Sequence, residues 1–127
     1  MASALLSEPL TMTFRYDRGE PDRATIDELR GPAVIEFGAD WCGHCQAAQP
    51  LITAALGRHP EVQHFKIADG KGRPLGRSFG VKLWPTLVFL RDGRETARLV
   101  RPRDIGPIAD ALAAIEAPAA ATGTGSR

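Results

Sequence analysis

Cys42 and Cys45, the two cysteines of the chain, stand three positions apart in the stretch Val34-Ile35-Glu36-Phe37-Gly38-Ala39-Asp40-Trp41-Cys42-Gly43-His44-Cys45. A pair this close cannot staple distant segments, because the loop it closes is too short to restrict the unfolded chain much. Reactivity is the remaining use. The apolar run Val34, Ile35, Phe37 reads as a buried strand that passes through a small-residue turn and delivers Cys-x-x-Cys to the start of a helix. With Cys42 in the first helical turn and Cys45 three residues on, the two side chains share a face, with Cβ atoms about 5–6 Å apart. That is within reach of a disulfide after small adjustment. First-turn N–H groups and the helix dipole stabilise a thiolate at Cys42, which makes it the attacking sulfur. Cys45, deeper along the helix, is then poised to resolve a mixed disulfide by attacking Cys42 Sγ.

Cys-x-x-Cys is also half of a structural zinc site, but four ligands are wanted and the chain has no second cysteine pair. His44, His59 and His64 would have to complete it, and His59 and His64 straddle a predicted strand start. Those two read as surface residues, whereas His44, between the cysteines, has a functional claim. No glycine-rich dinucleotide loop follows a strand, so no bound cofactor is expected.

The elements that must position this pair are legible around it. Leu10 to Tyr16 alternates as a first strand, and Thr25-Ile26-Asp27-Glu28 fits a Ser/Thr-x-x-Glu cap within a short helix near 22–30. Ala33 to Phe37 is a strand buried on both faces, as in a sheet covered by helices. Ala47, Ala48, Leu51, Ile52, Ala55 and Leu56 keep helical spacing from Trp41 to Gly57, with Pro50 predicting a kink. Val62, Phe65 and Ile67 give a third strand, and Pro74 to Phe79 a short helix closed by Gly80. Leu87 to Leu90 is a strand that Asp92-Gly93 turns into a hairpin partner around Glu95 to Val100. Asp104 opens a last helix with Ile105, Ile108, Ala109, Leu112 and Ile115 on one stripe. This order predicts an α/β protein with a central mixed sheet of four to five strands, flanked by about four helices, with an antiparallel hairpin at one edge.

Trp41-Cys42-Gly43-His44-Cys45 resembles the active site of the thioredoxin superfamily, and further residues match at that family's spacing. Pro50 falls where the family kinks its active-site helix, Trp84-Pro85-Thr86 resembles its cis-proline loop, and Asp92-Gly93 its edge hairpin. Glu36 stands where the family keeps a buried acid, and Lys66 resembles its companion lysine. The match covers roughly residues 10 to 116. The resemblance implies a thioredoxin fold and a thiol–disulfide oxidoreductase that exchanges disulfides with protein substrates through Cys42 and Cys45. It implies a cis Pro85 facing the cysteines, beside which an extended substrate pairs as an added strand. Glu36, desolvated in an apolar strand, is expected to have a pKa raised towards neutrality and to accept the Cys45 proton, with Lys66 assisting. Trp41, Gly43, His44, Trp84 and Pro85 are the expected substrate-contacting residues.

Three features differ from the common pattern. Gly43-His44 matches disulfide isomerase domains, where reducing thioredoxins usually carry Gly-Pro, and a His beside the thiolate makes the disulfide a better oxidant. Trp84 replaces a small aliphatic residue, and Arg101 stands where a glycine is expected; both alter the surface that partners read. A second functional class, a non-catalytic thioredoxin-like binding or scaffolding domain, keeps the fold without turnover. Such domains often lose a cysteine, and this chain keeps both.

A chain of 127 residues, 43% of them hydrophobic, has room for one domain with a modest core. The expected division is a flexible N-terminus (1–9), the thioredoxin-like domain (10–116) and a disordered Ala/Gly/Thr/Ser tail (117–127). A net charge of +1 gives no concentrated excess of Lys and Arg for a nucleic acid, and the late cluster Arg91, Arg94, Arg98, Arg101 and Arg103 reads as a solvated face relieved by Asp92, Glu95 and Asp104. No basic n-region marks a signal peptide, and no run approaches the ~18 apolar residues of a membrane span. A cytoplasmic monomer is the expectation, drawing electrons from a reductase and passing them to disulfide-containing proteins.

Overall fold

The computed structural model describes residues 15–117. Its sheet is built outward from β1 (Pro32–Gly38), in which Ala33 to Gly38 are all buried. One flank pairs in parallel with β2 (Gln63–Ala68), and the other pairs antiparallel with β3 (Thr86–Arg91). β4 (Arg94–Val100) closes that side against β3, giving the order β2-β1-β3-β4. Four helices complete the described residues: α1 (Arg23–Asp27), α2 (Gly43–Gly57), α3 (Pro74–Ser78) and α4 (Ile105–Glu116). The mixed four-stranded sheet of a thioredoxin fold, with its edge hairpin, is therefore as the sequence predicted.

The period of two along each strand sorts side chains into two cores. Val34, Leu87 and Phe89 pack against Ile52 of α2 and Ile108, Leu112 and Ile115 of α4. Ala33, Ile35, Phe37, Val88 and Leu90 face the other way, onto Ile26 of α1 and Leu75 of α3. With helices on both sides, β1 and β3 lose their solvent face, which is why both read as continuous apolar runs. Glu36 is the exception, a charged residue at 0% exposure on the α2 side.

Helix α2 runs through Pro50 to Gly57. The hairpin turn has φ of 51° at Asp92 and 80° at Gly93. Gly93 is irreplaceable on two counts, since a Cβ there would also lie 2.1 Å from the Asp27 carbonyl oxygen.

Two details differ from expectation. The cap of α1 is Asp22, not Thr25: Asp22 Oδ1 accepts the Thr25 N–H at 2.9 Å and its hydroxyl at 2.7 Å. Thr25 is already helical, at the position whose orphan N–H a cap must satisfy, and the extended residue before the helix reaches it. Of the predicted first strand, residues 10–14 lie outside the described residues, as do the expected N-terminus (1–9) and residues 118–127 of the tail. Its end is extended alongside β2, where Asp17 donates to the Lys66 carbonyl at 2.7 Å and accepts the Ala68 N–H at 2.8 Å. No described helix is long and apolar enough to cross a membrane.

Candidate active site

Strand β1 ends at Gly38, and the turn that follows sets Cys42 as the N-cap of α2, one position before the first turn in which the sequence put it. Its backbone is extended (φ −80°, ψ 119°), and its Sγ accepts the Cys45 N–H at 3.2 Å, the bond a Ser or Asp oxygen makes in other caps. The sulfur thus faces the helix N-terminus, where orphan N–H groups and the dipole favour negative charge. Cys45, one turn in, is on the same face. Both are free thiols, exposed by 6% and 1%. Burial pushes the Cys45 thiol up to about 12, and its hydrogen bond with Cys42 adds to this, against the opposing pull of the Ala39 backbone and the Tyr16 hydroxyl. Cys45 therefore stays protonated until it is needed.

Behind the cysteines lies a buried polar cluster around Glu36. Glu36 Oε2 accepts from Lys66 Nζ at 3.0 Å, from Gln49 Nε2 at 2.7 Å and from the Tyr16 hydroxyl; Oε1 pairs with His64 Nε2 at 2.9 Å. Lys66 Nζ also donates to Gln49 Oε1 at 2.7 Å and lies 4.2 Å from the centre of the Tyr16 ring. Burial alone would raise the Glu36 carboxyl, as its apolar strand predicted. The His64 hydrogen bond, the Lys66 ammonium, the charge of His64 and the Tyr16 hydroxyl outweigh that and hold it at about 2. The expected rise towards neutrality is thus reversed: burial without donors lifts a carboxylate, and burial among four donors does not. Tyr16 moves the other way, far above its usual range, because of its burial, the Glu36 charge and bond, and Cys45.

His64 is likewise no ordinary surface residue. Parallel register pairs Val34 with His64 and Glu36 with Lys66, so His64 and Lys66, two apart on β2, share the face on which Glu36 sits. Tyr16, Gln49 and His64 were not singled out for the site from sequence. The His64-x-Lys66 alternation beside Val34-x-Glu36 was the available signal for one of them.

The rim is made by Trp41, Trp84 and His44. Trp41 is 74% exposed and meets Trp84 edge to face, with ring centres 5.5 Å apart. Trp84 is half-buried against the cluster that contains both cysteines, and its indole N–H donates to Asp69 Oδ2 at 2.9 Å, so it both packs and presents a surface. The Trp84–Pro85 peptide is cis and Pro85 is buried. Arg101 has φ of 51°, the conformation that a glycine adopts without cost; its N–H reaches the Pro85 carbonyl at 2.9 Å and its Nε the Trp84 carbonyl at 2.7 Å. Gly43 and His44 are exposed, and His44 borders a cleft of about 320 Å³ walled by Leu51, Arg101 and Arg103. Of the arginines read as a solvated face, Arg98 keeps its pairing with Glu95, while Arg91 donates to the Ile115 carbonyl at 2.7 Å. Among the described residues no three His, Cys, Asp or Glu side chains come together to hold a metal ion.

The family model for thioredoxin matches residues 22–114. The chain belongs to the thioredoxin family. It is 56% identical to thioredoxin 2 from Pseudomonas aeruginosa PAO1 in its reduced form, with a TM-score of 0.73, covering 80% of this chain and 94% of that one. A thioredoxin from Chlamydia muridarum is 36% identical over 75 residues, 58% of this chain and 72% of that protein. Protein disulfide-isomerase A2 from Pongo abelii is 40% identical over 85 residues, 62% of this chain, but the chain spans only 16% of that relative's length. A thioredoxin-family fold carrying both cysteines of the pair is a thiol–disulfide oxidoreductase, the activity class its sequence implied.

Proposed function

We propose that this thioredoxin-family chain exchanges disulfides with protein substrates, with Cys42 as the attacking sulfur and Cys45 as the resolving one. The observation that carries the assignment is the capped geometry. Cys42 Sγ is held at the helix N-terminus on the Cys45 N–H, and Cys45 is a buried, protonated thiol one turn away. Cys42 attacks a substrate disulfide, its S–S bond breaks, and one substrate sulfur leaves as a thiolate. Cys45, once deprotonated, attacks Cys42 Sγ in the mixed disulfide, releasing the second substrate thiol and leaving Cys42–Cys45 oxidised.

Glu36 and Lys66 act in this scheme as the buried pair that meets the proton of the resolving step. Trp41, Gly43, His44, Trp84 and Pro85 form the surface on which substrate lies. Exposed Trp41, Leu83 and Val100 supply the apolar contact that a protein substrate would cover. An extended substrate segment pairs beside Pro85 with the backbone N–H side of Trp84, because the Trp84 carbonyl is taken by Arg101. A reductase of the cell supplies electrons, the working form is a monomer, and a reducing compartment such as the cytoplasm suits the role.

Dithiothreitol-dependent reduction of insulin tests the assignment. Acceleration by the chain, abolished in Cys42→Ser, is the expected result; equal rates with and without the protein would leave only a binding role.

A further inference from the structure

Glu36 joins the buried thiol to the surface. On its inner side the Tyr16 hydroxyl donates to Oε2, and Tyr16 and Cys45 interact through their side chains across the space in front of Gly38, where an added Cβ would lie 2.8 Å from Oη and 2.7 Å from Sγ. Only a glycine leaves those two atoms their shared space. On its outer side Oε1 meets His64 Nε2 at 2.9 Å, and the His64 side chain is 27% exposed. Sγ, Oη, Oε2, Oε1 and Nε2 form a line from Cys45 to the surface clefts that His64 borders.

We infer that Tyr16 relays the Cys45 proton to Glu36 during resolution and that the charge on His64 gates this transfer. The inference rests on the disulfide-exchange reading above. In the relay the Cys45 S–H proton moves to Tyr16 Oη as the Tyr16 O–H proton moves to Glu36 Oε2. Tyr16 ends neutral, Cys45 becomes a thiolate and Glu36 a carboxylic acid. The thiolate electron pair then forms the bond to Cys42 Sγ, the Cys42–substrate S–S bond breaks, and the substrate sulfur takes a proton from water. Afterwards Glu36 returns its proton to solvent at the His64 side.

The gate follows from the charges. The hydrogen bond and charge of a protonated His64 help hold the Glu36 carboxyl well below the usual carboxylate range, while burial holds the Cys45 thiol well above its own, so a charged His64 opposes the transfer. Discharging the imidazole removes two of the influences that hold Glu36 down, its charge and its charged hydrogen bond. Among the described residues, the charged and titratable groups facing His64 are Glu36 on β1, Lys66 on its own strand, and Arg15, Tyr16 and Asp17 of the segment along β2. From α2, the uncharged Gln49 and Thr53 complete the wall.

The test is stopped-flow reaction of the reduced chain with 5,5′-dithiobis(2-nitrobenzoate) from pH 5 to 9. The first thionitrobenzoate released reports attack by Cys42 and the second reports resolution by Cys45. Tyr16→Phe is expected to slow the second release relative to the first by about 10–100-fold, the lower part of the range for lost acid–base assistance. A slowing below tenfold overturns the relay. His64→Gln, which keeps an uncharged donor at a part-exposed position, is expected to flatten the pH dependence of the second phase relative to the unmodified chain; an unchanged pH dependence overturns the gate. Should Tyr16→Phe not fold, a Glu36→Gln variant that leaves the second phase as fast as in the unmodified chain overturns the relay, and the His64→Gln profile still decides the gate. Absence of the first release from the unmodified chain would sink the exchange reading itself, whereas a normal first release with unaltered second phases sinks only this inference.

Discussion

Cys42 Sγ accepts the backbone N–H of Cys45 at 3.2 Å, so the sulfur proposed to attack is also the cap of the helix that carries its partner. Chemistry and stability are thereby joined in one atom. Cys42→Ser and Cys42→Ala should both abolish disulfide exchange, but they should differ in stability. Serine is a preferred cap and keeps the bond to the Cys45 N–H; alanine leaves that donor unmet and should cost about 1 kcal/mol relative to serine. For a domain of this size that corresponds to roughly 4–8 °C in melting temperature. Thermal unfolding of the two reduced variants checks it, and equal melting temperatures would remove the cap from the argument.

Glu36 should make the protein acid-sensitive. Its carboxyl is held at about 2 in the folded state against an ordinary 4.5, so its ionised form is favoured by folding. A depressed carboxyl contributes fully above its unfolded value, and the contribution drains away as pH falls from about 5 through 2. The amount at stake is on the order of a few kcal/mol. Urea denaturation across that range should show stability falling more steeply in the unmodified chain than in Glu36→Gln, which has no carboxyl to protonate. Parallel pH dependences would mean that Glu36 is not the group responsible.

This charge state marks the boundary of what the sequence could reveal. Cys42 and Cys45, the apolar β1 and β3, the stripe of α4 and the Asp92-Gly93 turn are local patterns, and each was read from neighbours a few positions away. The state of Glu36 depends on Tyr16, Gln49, His64 and Lys66, which come from a different helix and two other extended segments. Desolvation can be inferred from an apolar run, but donors cannot be counted until the register between β1 and β2 is known. The Asp22 cap escaped for a smaller reason, because Thr25 and Glu28 offered a competing pattern three residues on.

Asp69 should control the position of Trp84 in the proposed substrate surface. Its Oδ2 takes the indole N–H at 2.9 Å, its own N–H donates to the Gly38 carbonyl at 2.9 Å, and a Cβ on Gly76 would meet its Oδ1 at 2.2 Å. The backbone of Asp69 is thus tied to β1 and its carboxylate wedged between α3 and the indole. Asp69→Ala frees the ring, with a loss on the order of 1 kcal/mol for the hydrogen bond, or about fivefold in kcat/KM on insulin. Asp69→Asn retains an acceptor oxygen and should recover most of it. A red shift of tryptophan emission in Asp69→Ala but not in Asp69→Asn would tie the kinetic loss to Trp84, and identical kinetics in both variants would contradict the assignment.

His44 should set the redox poise. It occupies the second position of α2, exposed, between the capping sulfur and Cys45. An imidazole there, as cation or donor, favours the Cys42 thiolate and hence the reduced dithiol, which makes the disulfide the stronger oxidant. Proline is tolerated in a first helical turn, where the lost N–H has no intrahelical partner, so His44→Pro removes the imidazole without breaking α2. Equilibration with glutathione at pH 7 should give a potential that is more negative in His44→Pro, by up to about 90 mV, the span between thioredoxin and disulfide isomerase potentials. That span is roughly 4 kcal/mol for a two-electron couple. A potential unchanged by the substitution would place the poise of the pair in the buried cluster around Glu36 instead.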